Sequence, residues 1–148
     1  FNIPRVAQLS QRSNQFNLRT VRYTEEDIIK LINSKSYFSF AFDLKDKFGE
    51  HGLICVVILK EQSENELFIE TWLMSCRVLK RGMEKFVLNN LVSFAKKNDY
   101  KNLVGEYLQT NKNILVKDHY SDLGFKKSND QWILKLDDYT ELKTNIKI

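Results

Sequence analysis

The sequence predicts an α+β domain in which helices cover both faces of a mixed central sheet. Two observations carry this prediction. Between residues 37 and 76, three apolar or alternating runs are separated by short polar turns, which is typical of an antiparallel meander. From residue 83 the spacing turns helical and then strand-like, and a strand–helix–strand crossover is right-handed and makes its two strands parallel. The expected order is β-α-β-β-β-α-β-α-β-β.

Length and composition limit the class of protein. A chain of 148 residues is expected to form one domain, and its 43% apolar and 12% aromatic residues exclude overall disorder. No apolar run reaches the roughly 18 residues of a membrane-spanning helix, so no membrane partner is expected. Cys55 and Cys76 form neither a disulfide framework nor a metal cluster, so no metal site is expected. Their places in apolar runs indicate reduced thiols, which predicts a cytoplasmic protein.

Residues 1–17 are predicted to be a linker arm from a missing upstream domain, because they are rich in Gln, Ser and Asn and the chain does not begin with Met. The net charge is 23 − 19 = +4. It is carried by the first 22 residues, which contain four basic residues, Arg5, Arg12, Arg19 and Arg22, and no acidic residue. A basic arm is one signature of nucleic-acid binding. A solvated arm that docks on a neighbouring domain is the favoured interpretation, and a nucleic-acid partner is disfavoured.

The domain proper is expected over residues 18–136, and it starts with a strand, Leu18–Tyr23. Thr24 is a suitable N-cap for the helix that follows, and acidic residues 25–27 favour the positive end of that helix. The remaining elements follow from alternation or from helical spacing. In order, they are strands Tyr37–Leu44, Leu53–Leu59 and Leu67–Cys76, a long helix Met83–Lys97, a strand Leu103–Leu108, a helix Lys112–Leu123 stopped by Gly124, strands Phe125–Lys127 and Gln131–Leu136, and a loose tail over residues 137–148.

Four cations surround the expected start of the long helix, namely Arg77, Lys80, Arg81 and Lys85. The N-terminal end of a helix is already positive, so this charge is unfavourable unless an anion is bound. Free backbone N–H groups at that end attract phosphate in the same way. The pattern therefore indicates an anion site. The alternative is that these long side chains extend into water, with Glu84 as a local counter-charge.

One motif near the end of the chain resembles a known superfamily. The stretch Asn113-x-x-Val116-x-x-His119-Tyr120-x-x-x-Gly124-Phe125 is similar to the motif Asn-x-x-Ala-x-x-(apolar)-Tyr-x-x-x-Gly-Phe of the GCN5-related N-acetyltransferases, the GNAT superfamily. The resemblance covers about residues 18–136. It implies a GNAT-like mixed sheet with a pantetheine arm between the diverging strands 67–76 and 103–108, and a phosphate near Lys80–Met83.

A narrower resemblance is to the C-terminal domain of FkbH-like proteins, which join a HAD-type phosphatase-like domain to a GNAT-like domain. The similar stretches are Gln8–Leu9, Asn14–Leu18, Arg22–Thr24, Asp46–Gly49, Leu73–Val78, Gly105–Tyr107 and Thr110–Asn113. This resemblance implies a role in moving a glyceryl-type acyl unit onto the phosphopantetheine thiol of an acyl carrier protein. The chain contains no Asp-x-Asp-x-(Thr/Val) motif, so the phosphatase-like domain is expected upstream in a longer chain.

Four residues are assigned roles by the GNAT resemblance. Tyr120 is expected to protonate the departing thiolate, or else to pack its ring on the sheet. Asn113 is expected to bond the pantetheine amide, or else to cap its helix. Glu70 is a candidate general base, expected on the same strand face as Trp72, with an outward polar residue as the alternative. His119 is a second candidate base, or a partly buried spacer.

The cofactor is expected to be a thioester of phosphopantetheine or of coenzyme A. Its predicted contacts are Met74, Cys76, Arg77, Lys80, Arg81, Gly82, Met83 and Asn113. Leu79, Lys80 and Glu84 depart from the family's phosphate-binding loop. Intact coenzyme A is therefore disfavoured, because the carboxylate of Glu84 repels a pyrophosphate. Cys76 could form an acyl-cysteine, although a buried structural thiol is favoured.

Two functions remain open on the sequence alone. The leading one is a GNAT-like acyltransferase that handles a glyceryl-type acyl thioester by direct attack of an acceptor, with backbone N–H groups polarising the thioester carbonyl. The alternative is a docking module without catalytic activity, which positions an acyl carrier protein for the HAD phosphatase-like domain.

Overall fold

The structure is a computed structural model that describes residues 3–12, 16–19, 22–46, 49–75 and 82–144. Its centre is a six-stranded sheet in the order β1-β2-β3-β4-β6-β5. The strands are β1 Tyr37–Asp46, β2 Gly49–Ser63, β3 Glu66–Met74, β4 Asn102–Gly105, β5 Lys126–Ser128 and β6 Gln131–Lys135. Only the β3–β4 pair is parallel among the named strands, and the other four pairs are antiparallel. This confirms the predicted α+β class and the mixed sheet.

Helices lie on both faces of the sheet, as predicted. They are α1 Ile3–Arg12, α2 Glu25–Ile32, α3 Met83–Lys97 and α4 His119–Asp122, with 3-10 turns at Ile114–Val116 and Leu136–Asp138. Alternate residues of the central strand β2 point to opposite faces. Val56 and Ile58 pack in the cluster that includes α1 and α2, whereas Cys55 and Val57 pack in the cluster that includes α3. The sheet therefore separates two hydrophobic cores.

The predicted linker arm is wrong for residues 3–12. They form α1, whose Val6, Ala7 and Leu9 are buried against the sheet. Pro4 lies in the first turn, where a missing N–H costs no helical hydrogen bond. The apolar spacing that looked weak is enough, because most of the stability of a short helix comes from packing its apolar face.

The predicted first strand, Leu18–Tyr23, is also wrong in its described residues. The helix α2 does begin after Thr24, and both bonds of a capping box are present, with the Asp27 N–H donating to Thr24 Oγ1 over 3.1 Å. Before it, however, the chain makes only one isolated antiparallel bridge, from Asn17 to Leu73 of β3. Residues 20 and 21 lie outside the described part. Residues 16–19 lie beside β3 in the middle of the sheet. There β3 has an unpaired edge only after Phe68, where its pairing with β4 ends, and before its own end at Met74.

Strand β3 contains a β-bulge at Glu70. Opposite it on β2, Ile58 pairs with Thr71 and Leu59 pairs with Ile69, so Glu70 has no partner in the ladder. The extra residue reverses the alternation of side chains along the strand. Ile69 before the bulge and Trp72 after it both join the α3 core. Glu70 therefore lies on the opposite face from Trp72, which corrects the prediction that the two share a face.

The helix predicted over Lys112–Leu123 is interrupted. It consists of the 3-10 turn Ile114–Val116 followed by the single-turn α4, and Gly124 follows α4 with φ = +94°. Asn113 turns its amide back on the preceding loop, where its Oδ1 accepts from the N–H of Thr110 over 2.7 Å. Side chains of this kind compete with helix formation when they bond nearby backbone groups.

The tail predicted to be loose is docked as far as Thr144, the last described residue. Asn89 of α3 donates its amide to the carbonyl of Leu142 over 2.9 Å and accepts from the N–H of Leu142 over 2.9 Å. The hydroxyl of Tyr139 donates to the same amide oxygen of Asn89. The rings and side chains of Tyr139 and Leu142 also pack on the α3 core. Polar anchoring of this kind could not be read from a sequence rich in Asp, Thr and Lys.

Among the described helices, none combines the length and the apolar character that crossing a bilayer requires. Within the same residues, no three His, Cys, Asp or Glu side chains are grouped as metal ligands would be.

Candidate functional site

The parallel strands β3 and β4 separate where a thioester arm was predicted to enter. They pair only from Glu66 to Phe68 on β3, opposite Asn102 to Val104 on β4. Beyond this point β3 continues to Met74, whereas β4 ends at Gly105. A V-shaped gap therefore opens between the second half of β3 and the chain that follows β4.

The protein fills this gap with its own residues Phe16–Arg19, which we call the wedge. On one side Asn17 bridges to Leu73 of β3. On the other side the N–H of Leu108 donates to the carbonyl of Leu18 over 2.7 Å. Phe16 and Leu18 are each only 2% exposed and belong to the α3 core. The wedge thus joins the two walls of the gap through one backbone bridge to β3 and one backbone hydrogen bond to the chain after β4.

Arg19 fastens the wedge to both walls through its guanidinium. Its Nε bonds Glu106 Oε1 over 3.0 Å, and its Nη1 donates to the backbone carbonyl of Glu70 over 2.7 Å. A second oxygen of Glu70, Oε1, lies 3.4 Å from Nη1, and the ring of Phe68 lies 5.0 Å from the guanidinium carbon. Burial lowers the pKa of Arg19, but the Glu106 hydrogen bond and the charges of Glu70 and Glu106 outweigh it and raise the pKa. Glu70 has no Cα partner on β2 and lies beyond the last β3–β4 pair at Phe68, so its carbonyl is available to Arg19.

Tyr120, the predicted acid, packs its ring on Gly105 at the end of β4. A Cβ at Gly105 would lie 2.5 Å from Tyr120 Cζ, so the ring touches the strand where only glycine fits. Tyr120 is 2% exposed, and burial raises the pKa of its phenol although the charge of Arg19 acts in the opposite direction. A neutral phenol can donate a proton, but this one lies in the core that the wedge closes.

The structure does not bring Tyr120 and Glu70 together. Tyr120 belongs to the α3 core, whereas Glu70 shares the opposite face with Phe68 and is engaged by Arg19. The predicted acid and the predicted base are therefore on different sides of the wedge.

A pocket of about 350 Å³ lies beside the gap, between the first turn of α3 and the segment 115–123. Gly82 and Lys85 contribute one wall, and Leu115 and Val116 contribute the other, with Phe16 and His119 also lining it. Gly82 precedes α3 with φ = +84°, a conformation that glycine adopts without strain. The pocket thus adjoins the predicted phosphate-binding end of α3.

The described lining of the pocket is acidic. Glu84, Asp118 and Asp122 face it together with one cation, Lys85. Carboxylates accept hydrogen bonds from amide and hydroxyl donors, and they repel phosphate. The described interior is therefore suited to a neutral group that is rich in hydrogen-bond donors.

His119 is the buried polar group of this pocket. It is 8% exposed, and its Nε2 has no hydrogen-bond partner among the described residues. Phe16 meets its ring edge-on at 4.8 Å between centroids, and Trp72 does so at 4.4 Å. Burial lowers the pKa of His119 to about 3, so the imidazole is neutral near pH 7. A neutral, unpartnered nitrogen can bond a ligand that enters the pocket.

Burial of His119 predicts acid sensitivity. The folded pKa is about 3 and the ordinary value is 6.5, so the unfolded chain takes up the proton first. The resulting stability is complete above pH 6.5 and is lost as the pH falls toward 3. At pH 5 the loss should be about 2 kcal/mol. Urea unfolding of the wild type and of His119→Phe at pH 7 and pH 5 should show this loss only in the wild type, and equal losses would contradict it.

Asn113, predicted to bond pantetheine, is used internally. Its Nδ2 donates to the carbonyls of Asn17 at 3.0 Å and Leu108 at 2.9 Å. Its Oδ1 accepts from Thr110 and from the hydroxyl of Tyr107. The side chain makes no capping bond to the turn that follows it. Asn113 therefore ties the wedge to the loop after β4.

The other predicted cofactor contacts are only partly visible. Met74 and Met83 are each 1% exposed in the α3 core, so they can offer a ligand only their backbone. Gly82 lines the pocket. Cys76, Arg77, Lys80 and Arg81 lie outside the described residues, as does Leu79.

Sequence reasoning missed the residues that fill the gap. Phe16 was assigned to a linker, Arg19 was counted only as a charge, and Gly105 was not singled out. The stretches Asn14–Leu18 and Gly105–Tyr107 were among the resembling segments, and the weak apolar spacing before Phe16 was a further signal. Neither indicates contact with a strand more than 50 residues away.

Comparisons with known proteins establish the fold. The spermidine N-acetyltransferase from Vibrio cholerae, solved with CoA and spermine, is 11% identical, has a TM-score of 0.67, and covers 91% of this chain and 90% of its own. The ribosomal-protein-S18-alanine N-acetyltransferase from Escherichia coli is 15% identical with a TM-score of 0.65 over 99% and 93%. Tetrahymena GCN5 is 13% identical with a TM-score of 0.57 over 80% of each chain. The chain is therefore a GNAT-like domain in its fold.

No protein-family model matches the sequence, and no curated protein matches it either.

Proposed function

We propose that this domain is an acyltransferase whose donor is an acyl thioester on a phosphopantetheine arm. The observation that carries the proposal is the pocket beside the first turn of α3, which is lined by His119, a buried residue whose Nε2 has no hydrogen-bond partner among the described residues. A volume of about 350 Å³ is at the lower end of the range for small-molecule sites, about 300–1,000 Å³. The GNAT-like fold supports the same class of reaction, since solved neighbours are N-acetyltransferases.

The chemistry of the pocket favours an arm over a whole nucleotide cofactor. Pantetheine carries amide and hydroxyl donors, which Glu84, Asp118 and Asp122 can accept. A pyrophosphate at the same place would face those carboxylates. A single phosphate brings less negative charge toward those carboxylates, and Lys85, an exposed cation in the first turn of α3, also lines the pocket. A carrier-borne arm is therefore the preferred donor, with coenzyme A as the less favoured one.

The finer identity of the reaction rests on the FkbH-like resemblance. It supports a glyceryl-type acyl group, an acyl carrier protein as partner, and an upstream HAD phosphatase-like domain in the same protein. The charge at Lys85 and the basic residues 77–81 are of the sign that an acidic carrier surface would require.

A second candidate function is favoured by the wedge. If the gap between β3 and the chain after β4 is closed, the domain could bind a carrier arm without acting on its thioester. It would then be a docking module that positions an acyl carrier protein for a HAD phosphatase-like domain. A carrier-bound acyl thioester offered together with an acceptor nucleophile separates the two functions. The transferase moves the acyl group to the acceptor and releases the carrier thiol, whereas the docking module binds the carrier and leaves the thioester intact.

Lys85→Gln tests the phosphopantetheine site, and Lys97→Gln at the other end of α3 is its matched control. Binding of phosphopantetheine, followed by amide chemical shifts, should be about fivefold weaker in Lys85→Gln, which corresponds to roughly 1 kcal/mol for an exposed charge pair. Pantetheine without its phosphate should bind both variants like the wild type. The proposed function would be contradicted if neither phosphopantetheine nor pantetheine changed the amide shifts of Gly82, Val116 and His119.

A further inference from the structure

We infer that the wedge sets the depth of the donor site, with Phe16 as the residue that stops the arm. This inference rests on the proposed function. The reacting end of the arm would then lie against Phe16 and His119 at the inner end of the pocket, and it would not pass between β3 and β4. Phe16 links the pocket to the wedge, because it lines the pocket and is also the first residue of the wedge.

The wedge is built as a permanent part of the fold. Its withdrawal would expose two fully buried apolar side chains, Phe16 and Leu18. It would also break the bond from Leu108 to Leu18 and the contacts of Arg19 with Glu106 and Glu70. A ligand shifts such an equilibrium only by its difference in affinity for the two states. An arm that binds in the pocket makes the same contacts whether or not the wedge is withdrawn, so its binding does not favour withdrawal.

Contacts with neighbouring residues hold Phe16 in place at the pocket wall. The Phe16 ring is held edge-on to His119 at 4.8 Å and tilted against Trp72 at 6.3 Å. Behind it, the amide of Asn113 holds the carbonyl of Asn17 over 3.0 Å. The aromatic wall is therefore fixed from two directions. His119 lines the same pocket, and its Nε2 has no hydrogen-bond partner among the described residues.

Amide shifts and hydrogen exchange test this depth directly, with phosphopantetheine as the probe. We expect shifts at Gly82, Val116 and His119, none at Glu70 or Gly105, and unchanged exchange of the Leu108 N–H. Shifts at Glu70 and Gly105 with faster exchange at Leu108 would overturn the inference, because the arm would have displaced the wedge, and would leave the proposed function intact. No shifts in either set would overturn both.

A pair of variants tests Phe16 as the stop. S-butyryl-phosphopantetheine should bind the wild type more weakly than the S-acetyl compound, because the wall excludes two further methylene groups. Phe16→Leu should reduce this preference roughly tenfold, and the size-matched control Phe94→Leu, whose ring packs on Phe38 and Phe40, should leave it unchanged. An unchanged preference in Phe16→Leu would overturn the role of Phe16, and its urea unfolding would establish that the variant is folded.

Discussion

Gly105→Ala should destabilise the protein by about 3 kcal/mol, at the upper end for a single added methyl group in a packed core. The new Cβ would lie 2.5 Å from Tyr120 Cζ and 2.7 Å from Cε1, inside any real contact distance. Tyr120 cannot move aside easily, since its ring also packs on Phe125 at 4.9 Å between centroids. The measurement is the free energy of unfolding in urea.

Gly124→Ala is the matched control for this prediction. Its Cβ would meet nothing within 4 Å, so the only cost is the left-handed backbone at φ = +94°, about 1 kcal/mol. Tyr120→Leu should restore part of the loss in Gly105→Ala, because it removes the atoms that clash. A Gly105→Ala loss no larger than that of Gly124→Ala, or equal losses with and without Tyr120→Leu, would show that the ring is not held against β4.

Arg19→Met should destabilise the protein by about 2 kcal/mol and should loosen the wedge. The substitution keeps an apolar stem but leaves the carboxylates of Glu70 and Glu106 without their shared cation. Breaking a buried ion pair typically costs more, but these side chains are a fifth to a quarter exposed and partly screened by water. Urea unfolding measures the loss, and exchange of the Leu108 N–H should become faster.

Two further variants isolate the contribution of the ion pair. Arg22→Met removes a nearby arginine that donates to the backbone carbonyls of Ser10 and Gln11 near the end of α1, and exchange at Leu108 should not change. Adding Glu106→Gln to Arg19→Met should recover part of the stability, since one uncompensated charge disappears. If Arg19→Met and Arg22→Met affect Leu108 equally, Arg19 does not lock the wedge.

Local patterns predicted much of the fold. The alternating run at Tyr37–Leu44 lies within β1, and the apolar run Leu53–Leu59 lies within the doubly covered strand β2. The predicted helix Met83–Lys97 has the bounds of α3, and Thr24 caps α2 as expected. These features depend on residues that are close in sequence, so periodicity and capping are sufficient to identify them.

Features that depend on distant residues could not be predicted. The bulge at Glu70 reverses which side chains of β3 point to each face of the sheet. The position of the bulge is defined only by the pairing of β3 with β2. The wedge depends on contacts across 51 and 87 residues, from Arg19 to Glu70 and Glu106. Alternation alone therefore assigned Glu70 to the wrong face.

The candidate site was predicted in part for the same reason. His119 and Tyr120 are neighbours in the chain, and the GNAT-like motif singled out both. Successive side chains of a helix point about 100° apart, so His119 lines the pocket whereas Tyr120 packs on Gly105. The wedge closes the core around Tyr120 and leaves His119 beside the pocket, and the GNAT-like motif does not include the wedge.

The docked tail has a practical consequence for anyone who purifies or labels this protein. The hydroxyl of Thr144 donates to the carbonyl of Gly82 over 2.8 Å, and Gly82 lines the pocket. An affinity tag, dye or fusion partner joined close to Thr144 would therefore lie near the pocket and could obstruct it. A tag placed ahead of α1, which packs on the other face of the sheet, avoids this obstruction.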